Sequence, residues 1–144
     1  MKLSTSGGSL ELKNLSGDIE AKTSGGNIEG KDISGELTAH TSGGNVQLSN
    51  LNASVDASTS GGNISLAVTK LGKYVKLQNS GGSVALTVPK NSGLDLDLSG
   101  RMKGTNFENF SGKIEDNKVN GKLNGGGVPV KIDAGDGRIS LELK

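Results

Sequence analysis

The chain of 144 residues has no cysteine and no tryptophan, one tyrosine and two phenylalanines. Without cysteine there are no disulfides and no thiolate metal sites, and the composition fits either redox compartment. Aromatic residues make up 2% and hydrophobic residues 31% of the chain. That is thin material for an ordinary globular core, and low hydrophobicity of this kind goes with disorder unless a strict pattern orders the chain. No apolar run approaches the roughly 18–20 residues of a membrane span. Neither sign of charge dominates, since 16 Lys and Arg face 15 Asp and Glu for a net charge of +1. Nucleic-acid binding needs concentrated basic residues, usually interleaved with aromatics, so no nucleic-acid partner is expected. The 24 glycines are too few for collagen and lack its three-residue period.

What the chain does have is a repeat. Thr-Ser-Gly-Gly begins at Thr5, Thr23, Thr41 and Thr59, each eighteen residues after the last. Inside that period Leu10, Ile19, Ile28, Leu37, Val46, Val55 and Ile64 fall nine residues apart. A fixed period in this range marks an architecture in which each unit buries its apolar face against its neighbours. The alternation around Ile28 and Leu37 is that of pleated strands, so each eighteen-residue coil holds two short strands. Their inward columns read Leu10, Ile28, Val46, Ile64, Val84 and Leu12, Gly30, Leu48, Leu66, Leu86 for the first strand. The second gives Ile19, Leu37, Val55, Val75 and Ala21, Ala39, Ala57, Leu77. A third column, Leu15, Ile33, Leu51, Leu71, plugs the turn between them. The spacing slips by two after Ile64, which places two extra residues near Val68, Thr69 and Lys70.

This pattern predicts an all-β fold: a single-stranded parallel β-helix (β-solenoid) with coils of about 18 residues and an irregular C-terminal insertion or cap. One domain spans residues 1–144, with regular coils over 1–99, the insertion or cap over 100–120 and closing coils over 121–144. Gly43 or Gly44 in the repeated Gly-Gly corner is expected at positive φ, where glycine avoids a Cβ clash. The second corner, Gly17 and Gly35, changes to Ala53 in the third coil, so it is expected to be less demanding. Asn27, Asn45 and Asn63 stand in register and are expected to form a ladder along the stack, at roughly 4.8 Å per step.

Several residues invite a functional reading. His40 is the one histidine, and its column partners are Lys22, Ser58 and Gln78; an outward, solvent-facing role is expected, without the constellation that catalysis needs. Glu11 stacks with Glu29, and Asp18 with Glu36, which could hold a cation. Lys13 and Lys31 lie two residues on from the first pair, and mutual neutralisation accounts for that pair more simply. Asp95 and Asp97 alternate outward on one strand with only Arg101 near, as any amphipathic strand would place them; no cavity is expected there. The Gly-Gly-Asn runs lack the Asp of calcium-binding nonapeptides, and Ser-Gly-Gly lacks the Gly-Lys-Ser/Thr of a phosphate loop. The Thr5, Thr23, Thr41, Thr59 column forms a hydroxyl array like those of ice-binding solenoids, but it sits beside a glycine corner, where hydrogen bonding within the turn is expected. No catalytic residue, metal site or cofactor is assigned.

Repeated Ser-Gly-Gly-Asn-Ile and Leu-Ser-Gly-Asp-Ile half-coils, then Leu123-Asn124-Gly125-Gly126-Gly127 and Gly135-Asp136-Gly137-Arg138-Ile139, resemble the bacterial β-strand-repeat family labelled as adhesins, a domain of unknown function. The resemblance covers essentially the whole chain. It implies a parallel β-helix in an exported or membrane-anchored protein and no catalytic residues. The expected function is therefore a non-enzymatic cell-surface or envelope module with flat stacked faces, its partner a protein or a glycan; the alternative is a polysaccharide-active lyase or hydrolase. The expected location is extracytoplasmic: cell surface, periplasm or secreted. Met1-Lys2-Leu3-Ser4 enters the repeat at once, without a signal peptide, so any anchor would lie in a segment absent from this chain. A monomer or a weak face-to-face dimer is expected.

Overall fold

A computed structural model of the chain describes residues 1–89, 93–102, 110–115 and 117–143. Its strands are β1 (Lys2–Thr5), β2 (Leu10–Thr23), β3 (Ile28–Thr41), β4 (Val46–Thr59), β5 (Ile64–Asn79), β6 (Val84–Val88), β7 (Leu94–Met102), β8 (Phe110–Glu115), β9 (Lys118–Leu123) and β10 (Val128–Leu143). Among the described residues there is no helix, and the strands stack into one continuous sheet. The fold is the β-solenoid that the period predicts. Leu10 pairs with Ile28, Ile28 with Val46, Val46 with Ile64 and Ile64 with Val84, all parallel. Ile28, Leu37, Val46 and Val55 are at most 1% exposed. The burial of each such side chain contributes about 1.5–3 kcal/mol, so a thin column of small aliphatics suffices where aromatics are scarce.

The corners differ from their sequence reading. Gly43 and Gly44 are absent from the positive-φ residues, whereas Gly17 (φ 97°) and Gly35 (φ 105°) are among them. The Gly-Gly corner needs glycine for a different reason: contact between coils. A Cβ on Gly44 would lie 1.9 Å from the Gly26 carbonyl oxygen, and one on Gly26 equally close to that of Gly8. The same contact recurs at Gly62, Gly82 and Gly137. Only the second glycine of each pair is so constrained, since a Cβ on Gly43 meets nothing nearer than 4.0 Å. The Gly17–Gly35 corner is the demanding one in backbone angle, and Ala53 escapes it because the chain takes negative φ there.

Threonine locks the Gly-Gly corner. Thr41 is 6% exposed; its hydroxyl donates to the Gly26 carbonyl at 2.9 Å and accepts from the Gly44 N–H at 3.3 Å. Thr23 and Thr59 repeat both bonds. At the next coil Asn79 takes over: its amide N–H donates to Gly62 O, and its Oδ1 accepts from Gly81 and Gly82 N–H. Thr23, Thr41 and Thr59 are thus buried structural groups and no flat hydroxyl surface. The asparagine ladder also forms, with each side-chain Oδ1 accepting a backbone N–H from the next coil: Asn45 to Asn27, Asn63 to Asn45 and Ser83 to Asn63, at 2.8–2.9 Å. A further corner rests on Asn14, Asp32 and Asn50, stacked with φ of 51–58°. Asn and Asp tolerate that left-handed region better than other residues with a side chain.

The two-residue slip is displaced from its expected place. Leu51 pairs with Val68, Ala53 with Leu71 and Val55 with Val75. The extra length therefore falls over Gly72–Tyr74, and Val68, rather than Leu71, continues the third column. Ser54 stabilises the wider corner by accepting the Lys73 N–H at 2.6 Å.

The C-terminal third is not stacked in chain order. The strands run β5-β6-β10-β7-β9-β8 across this part of the sheet. The first half of β10 lies between β5 and β7, with Val130 beside Val75 on one side and Leu96 on the other. Its second half lies beside β6, with Ile139 against Val84. The segment read as closing coils thus enters the stack instead of extending it. Strands β8 and β9 form the expected cap: β9 runs antiparallel to β7, and β8 antiparallel to β9. Val119 and Leu123 are fully buried there, and Phe110 packs against the core. The cap begins later than Gly100, because β7 runs on to Met102; residues 103–109 and Asp116 lie outside the described residues. The turn Asn124–Gly127 straddles the start of β7. A Cβ on Gly93 would lie 2.3 Å from the Gly126 oxygen, and Val128 N donates to Gly93 O at 3.0 Å, so glycine is required where one strand crosses the end of another.

Candidate functional site

In-register stacking turns every outward position into a ladder. On the first strand of each coil, Glu11, Glu29, Gln47 and Ser65 form one and Lys13, Lys31 and Ser49 another. All of these except Ser65 bound a shallow groove of about 350 Å³. Lys13 Nζ lies 2.7 Å from Glu11 Oε1, and both side chains are more than half exposed. The hydrogen bond from Lys13, then its charge, holds the Glu11 carboxyl below its usual range, and the same contact raises Lys13. Glu11 thus engages its own lysine, as the sequence suggests.

On the second strand Lys22, His40, Ser58 and Gln78 are neighbours in that order. His40 is half-buried and its Nδ1 is hydrogen-bonded to Ser58 Oγ, where a fully solvent-facing ring was expected. A coil spacing brings the two side chains together, and serine is small enough to sit under the ring. A Ser–His contact is the beginning of a hydrolytic constellation, but the nearby acid, Glu20, is bonded to Lys22 at 2.9 Å. Hydrogen bonding from Lys22, and then its charge, lowers the Glu20 carboxyl.

The third place is the cap. Four strands lie side by side there, and their outward residues align as Pro129, Asp95, Lys122, Ser111 and as Lys131, Asp97, Asn120, Lys113. Asp95, Asp97, Ser111, Asn120, Lys122 and Lys131 rim a groove of about 610 Å³, floored by Leu96, Gly121 and Val130. The expectation that Asp95 and Asp97 line no cavity is therefore wrong. Their partners come from β9 and β10, which the amphipathic pattern of β7 alone does not reveal. Arg101 lies past the Gly100 corner, beside Arg138, and does not line this groove. Asp95 Oδ1 is buried and accepts no hydrogen bond. It points at the space left by Gly126, where a Cβ would come within 2.6 Å. Among the described residues no ion pair closes between Asp95 and Lys122 or between Asp97 and Lys131, although each pair sits directly across neighbouring strands. No group of three or more His, Asp or Glu side chains among the described residues is placed to hold a metal ion, and no helix is long and apolar enough to cross a membrane.

No curated protein and no solved structure matches the chain. A family model does, over residues 1–142, and its description is Toastrack DUF4097. That description names no ligand and no adhesive role. The match spans the regular coils, the cap hairpin and the inserted β10 alike. The chain therefore belongs to the Toastrack DUF4097 family, β-solenoid domains of unknown function.

Proposed function

We propose that this domain is a non-enzymatic, adhesin-like module of the bacterial cell surface or envelope, working outside the cytoplasm and binding a protein or glycan partner. The observation that carries this reading is the set of outward ladders. Six outward positions around the cap and two strand faces along the coils present polar side chains at fixed spacing on a rigid support. Such a surface suits repeated contacts with an extended partner. An enzyme instead converges an acid, a base or a metal in a shielded pocket. The asparagine and threonine ladders support the same reading, because they stiffen the coils that hold the faces in place.

The cap groove, with its two aspartates, favours one competitor: a polysaccharide-active enzyme. A screen of the purified chain against glycans and envelope proteins, run beside turnover assays on pectins and other acidic glycans, separates the two. Binding without turnover is expected. Turnover abolished by Asp95→Asn or Asp97→Asn would replace the module reading with the enzyme reading. In a bacterial host the tagged product of the full native gene should fractionate with the envelope or medium; recovery in the cytosol alone would contradict the location.

A further inference from the structure

We propose that the cap groove binds an uncharged glycan chain, taking two or three neutral sugar residues across β10, β7, β9 and β8. This deepens the module reading above and rests on it. Four observations lead there. The rim carries two carboxylates, Asp95 and Asp97, and two ammonium groups, Lys122 and Lys131. It therefore has no net charge to favour an acidic polymer or a polycation. These charges stay apart, although the same molecule closes its exposed pairs elsewhere: Glu11 with Lys13 at 2.7 Å and Glu20 with Lys22 at 2.9 Å. Donors and acceptors thus remain available around one hollow. Asp95 Oδ1 is buried without a donor, which is costly for a carboxylate oxygen. The stem of Lys122 borders the same space over Gly126 as that oxygen; in the bound state the flexible Lys122 side chain would swing aside to admit a donor to it. A sugar hydroxyl is the matching group: it donates to a carboxylate at about 2.5–3.0 Å and accepts from Lys or Asn through the same oxygen. Finally, Gly121 and Val130 give a floor without polar side chains, and Pro129 stands at the edge, a surface suited to the C–H face of a sugar ring. The groove is open and crosses several strands, which admits a chain where an enclosed cavity would admit only a small molecule.

The test is calorimetry on the full chain with neutral oligosaccharides of gluco, manno and galacto configuration, with polygalacturonate, and with Ca²⁺ alone. At least one neutral oligosaccharide should bind. Asp95→Asn and Lys122→Met should each weaken it about tenfold or more, as expected for a lost hydrogen bond to a charged group. Both variants should keep the parent melting temperature, and Ser16→Ala, on an exposed corner remote from the cap, should bind like the parent. Binding that persists unchanged in both groove variants would overturn the placement and leave the module reading intact. Polygalacturonate or Ca²⁺ binding in preference to every neutral sugar, in a manner lost with Asp95→Asn, would overturn the ligand class. No glycan binding at all would overturn the inference, and an envelope protein captured in the same screen would show that the module reading survives without it.

Discussion

Gly44→Ala should unfold the solenoid or cost it about 3 kcal/mol or more, while Gly43→Ala should stay within about 0.5 kcal/mol of the parent. The two residues are neighbours in one corner with the same chemistry. They differ in what an added methyl would meet. At Gly44 it would overlap the Gly26 oxygen at 1.9 Å, the Gly26 carbon at 2.5 Å and the Asn27 nitrogen at 3.0 Å. All three are backbone atoms, so no rotamer change relieves the clash. Relief requires the coils to separate, which stretches the Thr41 hydroxyl bond to Gly26 O and the Asn45 N–H bond to Asn27 Oδ1, both 2.9 Å. At Gly43 the methyl would meet only Ser24 O at 4.0 Å. Thermal or urea unfolding of the two variants measures the contrast. Equal losses at both positions would mean that the corner is held by backbone angle rather than by contact between coils.

Ile132→Asp should have an effect of similar or greater size, about 3–5 kcal/mol, because it places a lone carboxylate in a site with 0% exposure. The position also decides what comes apart. Ile132 stands between Leu77 of β5 and Leu98 of β7, and the rest of β10 pairs with β6. Loss of β10 therefore detaches the cap from the regular coils on both halves of the stack at once. Repeat architectures can retain a subset of their units, so limited proteolysis of the variant should release the C-terminal third while β2, β3 and β4 persist. If β10 were a terminal flap, the same substitution would fray one edge and leave the cap attached to β6.

How much of this is legible in the sequence follows from what a period can encode. The aliphatic beat names which residues point inward, and the column Leu10, Ile28, Val46, Ile64 and Val84 stacks in the expected register. A period does not state which layer a strand occupies. Val130 would fill the same inward column in any layer, so nothing in its neighbourhood announces that β10 sits between β5 and β7. The Gly-Gly pair misleads because positive φ and close approach both select glycine. The sign of the second cause is that the contact column runs from Gly8 through Gly82 to Gly137, across segments whose local sequences differ. The Asn14, Asp32, Asn50 corner does carry a signal in the sequence: three Asn or Asp residues stand eighteen apart, and these residues favour the left-handed region. The cap groove is hidden for a different reason. Asp95 and Asp97 look like the polar face of one strand until Lys122, Asn120 and Lys131 arrive from strands distant in sequence.

The placement of β10 supports the cap, the groove and the family architecture together, and the absence of cysteine makes it directly measurable. Lys131 adjoins Lys76 on one side and Asp97 on the other, all exposed. Neighbouring strands lie about 4.8 Å apart, within the Cα range of about 4.4–6.8 Å for a disulfide, whereas two layers are beyond it. Oxidation of Lys76→Cys/Lys131→Cys should therefore yield an intramolecular disulfide, and Lys76→Cys/Asp97→Cys should stay reduced. A disulfide in the second pair and none in the first would mean that β7 stacks directly on the regular coils, and would contradict the β5-β10-β7 order.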